Sequence, residues 1–395
     1  MAHALQPTTT VPGRLVLPAL GLGSFITTLT FAAPGPFLTD ISRDLNVGVP
    51  LLGQVTAGML ILGAPLGLVA GPIADRYGSR RLILLGLAAT TACLLIFGLA
   101  PIFPVLFLAS MAGALSEATV PGLSLAIAGT RFTGPASRQA IGWTVGALAS
   151  APIVGVPILT TIGGIAGWRA AFLTAGGAAL VIVVLVAAWL PEDTRRPDDP
   201  LRLQTIFNAY RPLVHDVAMR GLYACSVMRS MCWFGLLTYL GALLRDRFGL
   251  STSEVGLAYM LAGSGYLLGS LAAGGPFARL PARPLVGISN VTMGVLMMVA
   301  FSAILDTRLT IGLLPLAAFA GAVGWVGLTA LLTTESPAGP GTTMVLNGSL
   351  FNLGAAGGAG IGGFLLAVGG FDALAIGLPL FGLGSALCMG IRRRA

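Results

Sequence analysis

The chain of 395 residues contains no lysine: all 22 of its basic residues are arginine. It also has only 9% charged residues, two histidines and four cysteines. Each scarcity closes off a class of function. Without lysine there is no Gly-x-x-x-x-Gly-Lys-Ser/Thr stretch, which argues against an ATP-driven pump. The two histidines, His3 and His215, lie outside the apolar segments, so neither a His-Glu-x-x-His metal site nor a histidine proton relay is expected there. Cys93, Cys225, Cys232 and Cys388 all fall inside apolar segments and read as small buried residues, neither a disulfide framework nor zinc ligands. No metal, cofactor or catalytic constellation is expected, and hence no enzyme. A charged fraction of 9% against about 25% in a soluble domain excludes a water-soluble globule. Alternating strand patterns are missing, which argues against an outer-membrane barrel. The polar stretch Met1–Arg14 has no apolar core of its own, so no removable signal peptide is expected.

What is present is hydrophobicity: 55% of residues are apolar and the mean hydropathy is +0.91. At about 20 residues per span, the length accommodates about twelve membrane helices. The apolar runs place them at roughly 15–38, 50–73, 81–100, 102–129, 140–164 and 168–190, then 218–243, 254–277, 284–305, 309–332, 343–368 and 371–391. The longest polar stretch, opening Pro191-Glu-Asp-Thr-Arg-Arg-Pro-Asp-Asp-Pro200, divides them six and six. The expected organisation is therefore a six-helix half over 1–190, a linker over 191–216 and a second half over 217–395. The net charge of +8 sits in loops between spans, so it signals membrane orientation and not nucleic acid. With both termini in the cytoplasm, 16 arginines fall on the inner side and five on the outer: Arg43, Arg169, Arg245, Arg247 and Arg308.

The densest charge cluster is Gly71-Pro-Ile-Ala-Asp75-Arg76-Tyr-Gly78-Ser-Arg80-Arg81, between the second and third apolar runs. It reads as a tight hairpin in which Gly78 takes a turn conformation, Asp75 meets backbone N–H groups at a helix start, and the arginines face water or lipid phosphates. Its opening recurs 204 residues later as Gly275-Pro276-x-Ala278-Arg279, at the equivalent place in the second half, which indicates duplication.

The spacing Gly-x-x-x-Asp-Arg-x-Gly-x-Arg resembles the loop between helices 2 and 3 of major facilitator superfamily transporters. Ser79 departs from that pattern, standing where a basic residue is usual. Gly167-Trp168-Arg169-Ala-Ala-Phe172, Leu190-Pro191-Glu192 and Asn347-Gly-Ser-Leu-Phe-Asn352-Leu-Gly354 are similar to the bacterial drug and sugar efflux branch. So are Gly142, Gly146, Pro152 and Gly155 in the fifth span, where Ala151 replaces the glycine of that branch's antiporter motif. Such small residues let helix backbones approach closely. The arginine that the superfamily often carries early in helix 4 is absent between Pro101 and Thr130.

Two charges fall near mid-membrane, Glu117 in the fourth span and Arg229 in the seventh. Each costs about 2.5–3.5 kcal/mol if it faces lipid, so each is expected to face a cavity or a partner. Both are expected to line a site between the halves, Glu117 as the proton-accepting or cation-recognising group beside Arg229. Gln54, Asn290, Asn347 and Asn352 are further polar candidates for that cavity; Trp143, Trp233 and Trp325 are candidates for stacking. Asp40, Asp44 and Glu254 are expected to be solvated at outer helix ends.

The resemblance implies an all-α fold of two pseudo-symmetric six-helix halves and a monomeric, multi-pass protein of a bacterial inner membrane. It implies a secondary active transporter working by alternating access, exporting a small drug, sugar or metabolite in exchange for protons. Proton-coupled uptake and uniport are the alternatives within that fold; a membrane sensor or polytopic enzyme lies further off.

Overall fold

A computed structural model describes residues 15–132, 134–192, 203–302 and 304–390. Among the described residues the secondary structure is entirely helical. The first span is a bent pair, α1 (Val16–Ala32) and α2 (Pro34–Leu45), meeting at 45°. Pro34 and Pro36 lack the N–H groups that would continue the ladder across the junction, which accounts for the bend. Then come α3 (Val49–Tyr77), α4 (Ser79–Leu99) and α5 (Phe103–Arg131). Next, α6 (Gly134–Ser150) passes through a π-helical turn, Ala151–Gly155, into α7 (Val156–Trp189). A connecting helix, α8 (Leu203–His215), leads to α9 (Val217–Asp246), α10 (Thr252–Gly274), α11 (Ala282–Phe301), α12 (Thr307–Thr334) and α13 (Pro340–Leu387).

Two of the helical runs are double spans. The stretches 139–189 and 340–390 each run for 51 residues, or about 77 Å if straight, against about 30 Å for a bilayer core. Each is broken near its middle by glycine: Gly167 at φ 84°, and Gly369–Gly370 with Gly370 at φ 64°. Both breaks fall where apolar periodicity places a loop. Gly163 and Phe172 press on the same Phe37 ring, and Leu365 lies against Gly377, so the chain folds back at each break. With α1 and α2 as one span and each long run as two, the count among the described residues is twelve. The expected fold is found.

Glycine decides how closely several helices approach. A Cβ at Gly354 or Gly358 of α13 would collide with the α9 backbone at Val227 or Met231. Gly265 and Gly269 of α10 lie in the same way on Pro315 and Phe319 of α12. In a lipid solvent, where apolar burial drives little association, such contact replaces the hydrophobic effect as the source of packing energy.

Two expectations about connections need correction. The hairpin at 71–81 is shorter than the charge pattern suggests: α3 continues through Tyr77, α4 begins at Ser79, and Gly78 alone (φ 95°) makes the turn. Charge marks where the chain leaves the apolar layer, not where helical hydrogen bonding stops. The segment 191–216 is not all polar linker, because 203–215 form α8 with Tyr210 and Leu213 buried; residues 193–202 lie outside those described. Burial in an apolar cluster with Met219, Leu222 and Leu328 raises the pKa of the Tyr210 phenol above its ordinary value. The phenol donates to the Leu68 carbonyl of α3 at 3.2 Å, so α8 touches both halves.

Candidate functional site

Glu117 sits at the centre of α5. Leu108 and Leu115, 68% and 36% exposed, mark the side of α5 that faces lipid. At 100° per residue, Glu117 lies about 180° and about 160° away from them, on the inward side. Ala114, one turn earlier, packs on Gly63 of α3, while Ser116 bonds Thr27 of α1 at 3.1 Å and also Thr90 of α4. These neighbours pin α5 among α1, α3 and α4, yet none reaches the carboxylate. Glu117 Oε2 is buried without a hydrogen-bond partner. Four residues on, Pro121 has no N–H to give the Glu117 carbonyl. Ser24 Oγ on α1 and Ser124 Oγ on α5 are likewise buried without partners. The first half therefore carries three unsatisfied oxygens on α1 and α5, with the carboxylate midway along α5. Such groups are expensive to bury and rare in a settled core.

Arg229, midway along α9, is only 3% exposed and turns into its own half. Its Nε donates to Asn290 Oδ1 on α11 at 3.4 Å and its Nη2 to the Gly321 carbonyl on α12 at 2.5 Å. The guanidinium lies 5.3 Å from the Trp325 ring centroid. Asn290 completes the set by donating to Cys225 Sγ at 3.4 Å. The expected facing pair of Glu117 and Arg229 is not formed, because acceptors and an aromatic face within the second half already satisfy the arginine.

What joins the halves near mid-depth is aromatic. Phe31 of α1 meets Phe234 of α9 (centroids 5.3 Å), Phe234 meets Phe351 of α13 (5.1 Å), and Phe351 meets Trp325 of α12 (4.9 Å). All four rings are half-buried. Of these only Trp325 stood out in the sequence. Phe31, Phe234 and Phe351 are ordinary phenylalanines until the helices are assembled. Trp143 is 64% exposed, and Trp233 packs on Tyr266 of α10.

The polar candidates divide. Gln54 ties α3 to α13 by donating to the Gly360 carbonyl at 3.3 Å, and Asn290 holds Arg229. Asn347 is fully buried with neither amide atom partnered, and Asn352 is half-buried with no hydrogen bond.

The two ends of the bundle differ. At the Asp40 end, charges cross from half to half: Asp40 pairs with Arg245 at 2.7 Å and accepts from Thr252 at 3.0 Å. Thr39 donates to Asp246 at 3.2 Å, with Arg43 at 4.0 Å. Gly241 of α9 sits directly on the Gly35 carbonyl of α2. Asp40 is therefore no solvated helix-end charge: its side chain is 24% exposed and that of Arg245 is 12% exposed. Asp44, by contrast, pairs with Arg169 within the first half, as solvated edge charges commonly do. At the Arg76 end, Arg80 donates to the Ala187 carbonyl at 2.7 Å and pairs with Glu192, and Arg283 pairs with Glu335; each contact stays within one half or its edge. Asp75 is exposed and makes no hydrogen bond or ion pair among the described residues, Arg81 is exposed, and Arg76 lies beside the Tyr77 ring. A Cβ at Gly71 would meet nothing within 4 Å.

Comparison with known proteins agrees with this architecture. The family description Major Facilitator Superfamily matches residues 20–339. The chain belongs to the major facilitator superfamily. Among curated members, the MFS-type transporter YceJ of Bacillus subtilis (strain 168) is 26% identical over 60% of each chain. The inner membrane transport protein YdhP of Escherichia coli (strain K12) is 25% identical over 89% of this chain and 88% of its own. The multidrug resistance protein Stp of Mycobacterium tuberculosis (strain CDC 1551 / Oshkosh) is 36% identical over 40% of this chain and 30% of its own. Among solved structures, a bacterial homologue of the human lysosomal transporter Spinster, inward-facing and unoccupied, superposes with a TM-score of 0.73 over 95% of this chain and 94% of that one, at 17% identity. This superfamily member is thus a multi-pass membrane transporter by family. Within it, Gly155 packs on Phe25 and Leu29 of α1, and Pro152 lies in the π-helical turn. Gly142 and Gly146, expected to pack helices closely, have nothing within 4 Å of a Cβ position. Close approach between the halves is instead made by Gly256 and Gly263 of α10, on Thr160 and Ile153.

Proposed function

We propose that this chain exports a small organic molecule in exchange for protons, by alternating access between halves spanning 1–190 and 217–395. Segment 191–216 is the cytoplasmic linker, and the Arg76 end faces the cytoplasm of a bacterial inner membrane. The reading rests on Glu117: a half-buried side chain at mid-helix, turned away from lipid, with its Oε2 buried and unpartnered. A carboxylate so placed is neutral when protonated and needs a new partner when charged, so proton and cargo compete for it. Arg229 holds Trp325 and the aromatic bridge in position for cargo, and Asn347 and Asn352 supply polar contacts on the α13 side. In the state described, the Asp40 end is latched and Asp75 is unpartnered. When the Asp40 end opens, Asp75 and the arginines at 76–81 latch the opposite end.

The test begins with a thermal-shift screen of purified protein against a compound library, followed by proteoliposome transport of a hit under an imposed pH gradient. Wild type is expected to drive the compound against its gradient with opposite proton flow. Glu117→Gln is expected to lose gradient-driven transport while passive exchange persists. Undiminished gradient-driven transport by Glu117→Gln would rule out this coupling.

A further inference from the structure

Three sulfurs gather between α9 and the end of α13. Cys388 Sγ lies 3.8 Å from Met228 Sδ. Cys225, one helical turn before Met228, shares its side of α9. The Cys225 thiol lies against Ser385, one turn before Cys388, and the two cysteines belong to one apolar cluster. Gly384 leaves the room that the Met228 side chain fills. Cys225 is fully buried, whereas Met228 and Cys388 are half-buried, so the group is reached from the Cys388 side.

The spacing suits one ion. Two metal–sulfur bonds of about 2.3 Å, opened to about 110°, place their sulfurs about 3.8 Å apart. That is also a packing distance, so charge decides. Arg229, one turn past Cys225, is buried without an ion pair among the described residues. The ionisable side chains that bear on it are Tyr266, Cys225 and Cys232. Asn290 links arginine to thiol, accepting from Arg229 Nε and donating to Cys225 Sγ at 3.4 Å. Cys225 thus already has the N–H donor and the positive neighbour that a buried thiolate needs. Two thiolates, one guanidinium and one monovalent cation sum to zero, as a buried site requires; a divalent ion would leave it charged. Among the described residues no three Cys, His, Asp or Glu side chains gather for a metal. Here the third donor is a thioether, which soft ions accept and hard ions do not.

We infer that Cys225, Met228 and Cys388 bind one soft monovalent cation, of the copper(I) or silver(I) class. Each thiol releases its proton as the ion enters; two metal–thiolate bonds and one metal–thioether bond form, with no change of oxidation state. The site is independent of the transport reading, since Glu117 and the aromatic bridge take no part in it.

The experiment titrates silver(I), which needs no reductant, into the reduced full-length protein, with copper(I) and zinc(II) as separate arms. Retained metal is counted after desalting, and the melting temperature is recorded with and without it. One silver(I) or copper(I) ion per chain is expected, with a raised melting temperature, and no zinc(II) at matched concentration. Cys225→Ala and Cys388→Ala are each expected to weaken binding more than about a hundredfold, beyond the loss of an outer partner, and Met228→Leu about tenfold. The double variant Cys93→Ala with Cys232→Ala is expected to bind as wild type does. Melting temperature without metal checks that each variant is folded; Cys388, half-buried near the helix end, gives the variant least able to disturb the fold. The site is disproved if a folded Cys388→Ala retains the ion as wild type does, if zinc(II) binds equally, or if the double variant at Cys93 and Cys232 loses the ion.

Discussion

At the scale of single residues, the two intramembrane charges do different jobs. Arg229 is a joint: it spends its donors on Asn290 and the Gly321 carbonyl and its face on Trp325. Removing it leaves the buried Asn290 and Gly321 acceptors without their donor, at about 1–3 kcal/mol each. Arg229→Ala should therefore lower the melting temperature in detergent by many degrees, with or without cargo. Arg229→Lys cannot span two acceptors with one fork and should recover only part of that loss. Glu117 carries no such structural debt, since no hydrogen bond holds its carboxylate among the described residues. Glu117→Gln should leave stability within about 1 kcal/mol of wild type, read as a nearly unchanged melting temperature, while changing proton coupling. A large destabilisation by Glu117→Gln would mark it as structural instead. Both positions were legible in the sequence because an ionisable residue in an apolar run has few explanations. Their separation was not. Which way each helix turns depends on acceptors such as the Gly321 carbonyl, which no side-chain pattern reveals. The aromatic bridge was hidden for a related reason: Phe31, Phe234 and Phe351 come from helices whose contact is set by the assembly of the halves.

At the scale of elements, sequence reads spans well and connections poorly. Apolar runs of bilayer length have one solution, and glycine at 167 and 369–370 marks the reversals inside otherwise continuous helices. The linker helix α8 escaped because a polar stretch with a few apolar residues suits a surface helix as well as a coil. At the 71–81 turn the pattern identified the right glycine for a reason that can be measured. Gly78 sits at φ 95°, ψ 132°, a region closed to residues with a Cβ. Gly78→Ala should cost about 1–3 kcal/mol, read as a lowered melting temperature. Gly71→Ala, in a helix with open space around it, should cost little. Equal effects from the two would remove the conformational argument.

At the scale of the whole molecule, the asymmetry between its ends is the strongest statement about mechanism. Charged groups from opposite halves interlock where α2 meets α9 and α10, and a small void lined by Phe31, Phe234 and Thr238 lies beneath them. The sequence places Asp40 at a solvated outer helix end and Arg245 merely among the outer arginines; only the approach of the halves makes them partners. A half-buried cross-half pair biases the equilibrium between conformations by its differential energy, and about 1.4 kcal/mol shifts a population about tenfold. Asp40→Asn removes the charge while keeping an acceptor for Thr252, so it should favour the state open at this end without unfolding α2. Thr238, 8% exposed beneath the latch, reports that opening once replaced by cysteine. Cys93, Cys225 and Cys232 are buried, leaving Cys388 as the background to remove. A thiol reagent applied from the Asp40 side should label Thr238→Cys slowly in the wild-type background and about tenfold faster with Asp40→Asn. Arg245→Gln should give the same acceleration, and joining the two should add little, because each already breaks the same bond. Additive acceleration would mean that Asp40 and Arg245 hold this end through separate contacts, and no acceleration that the close contact of Gly35 with Gly241 holds it without them.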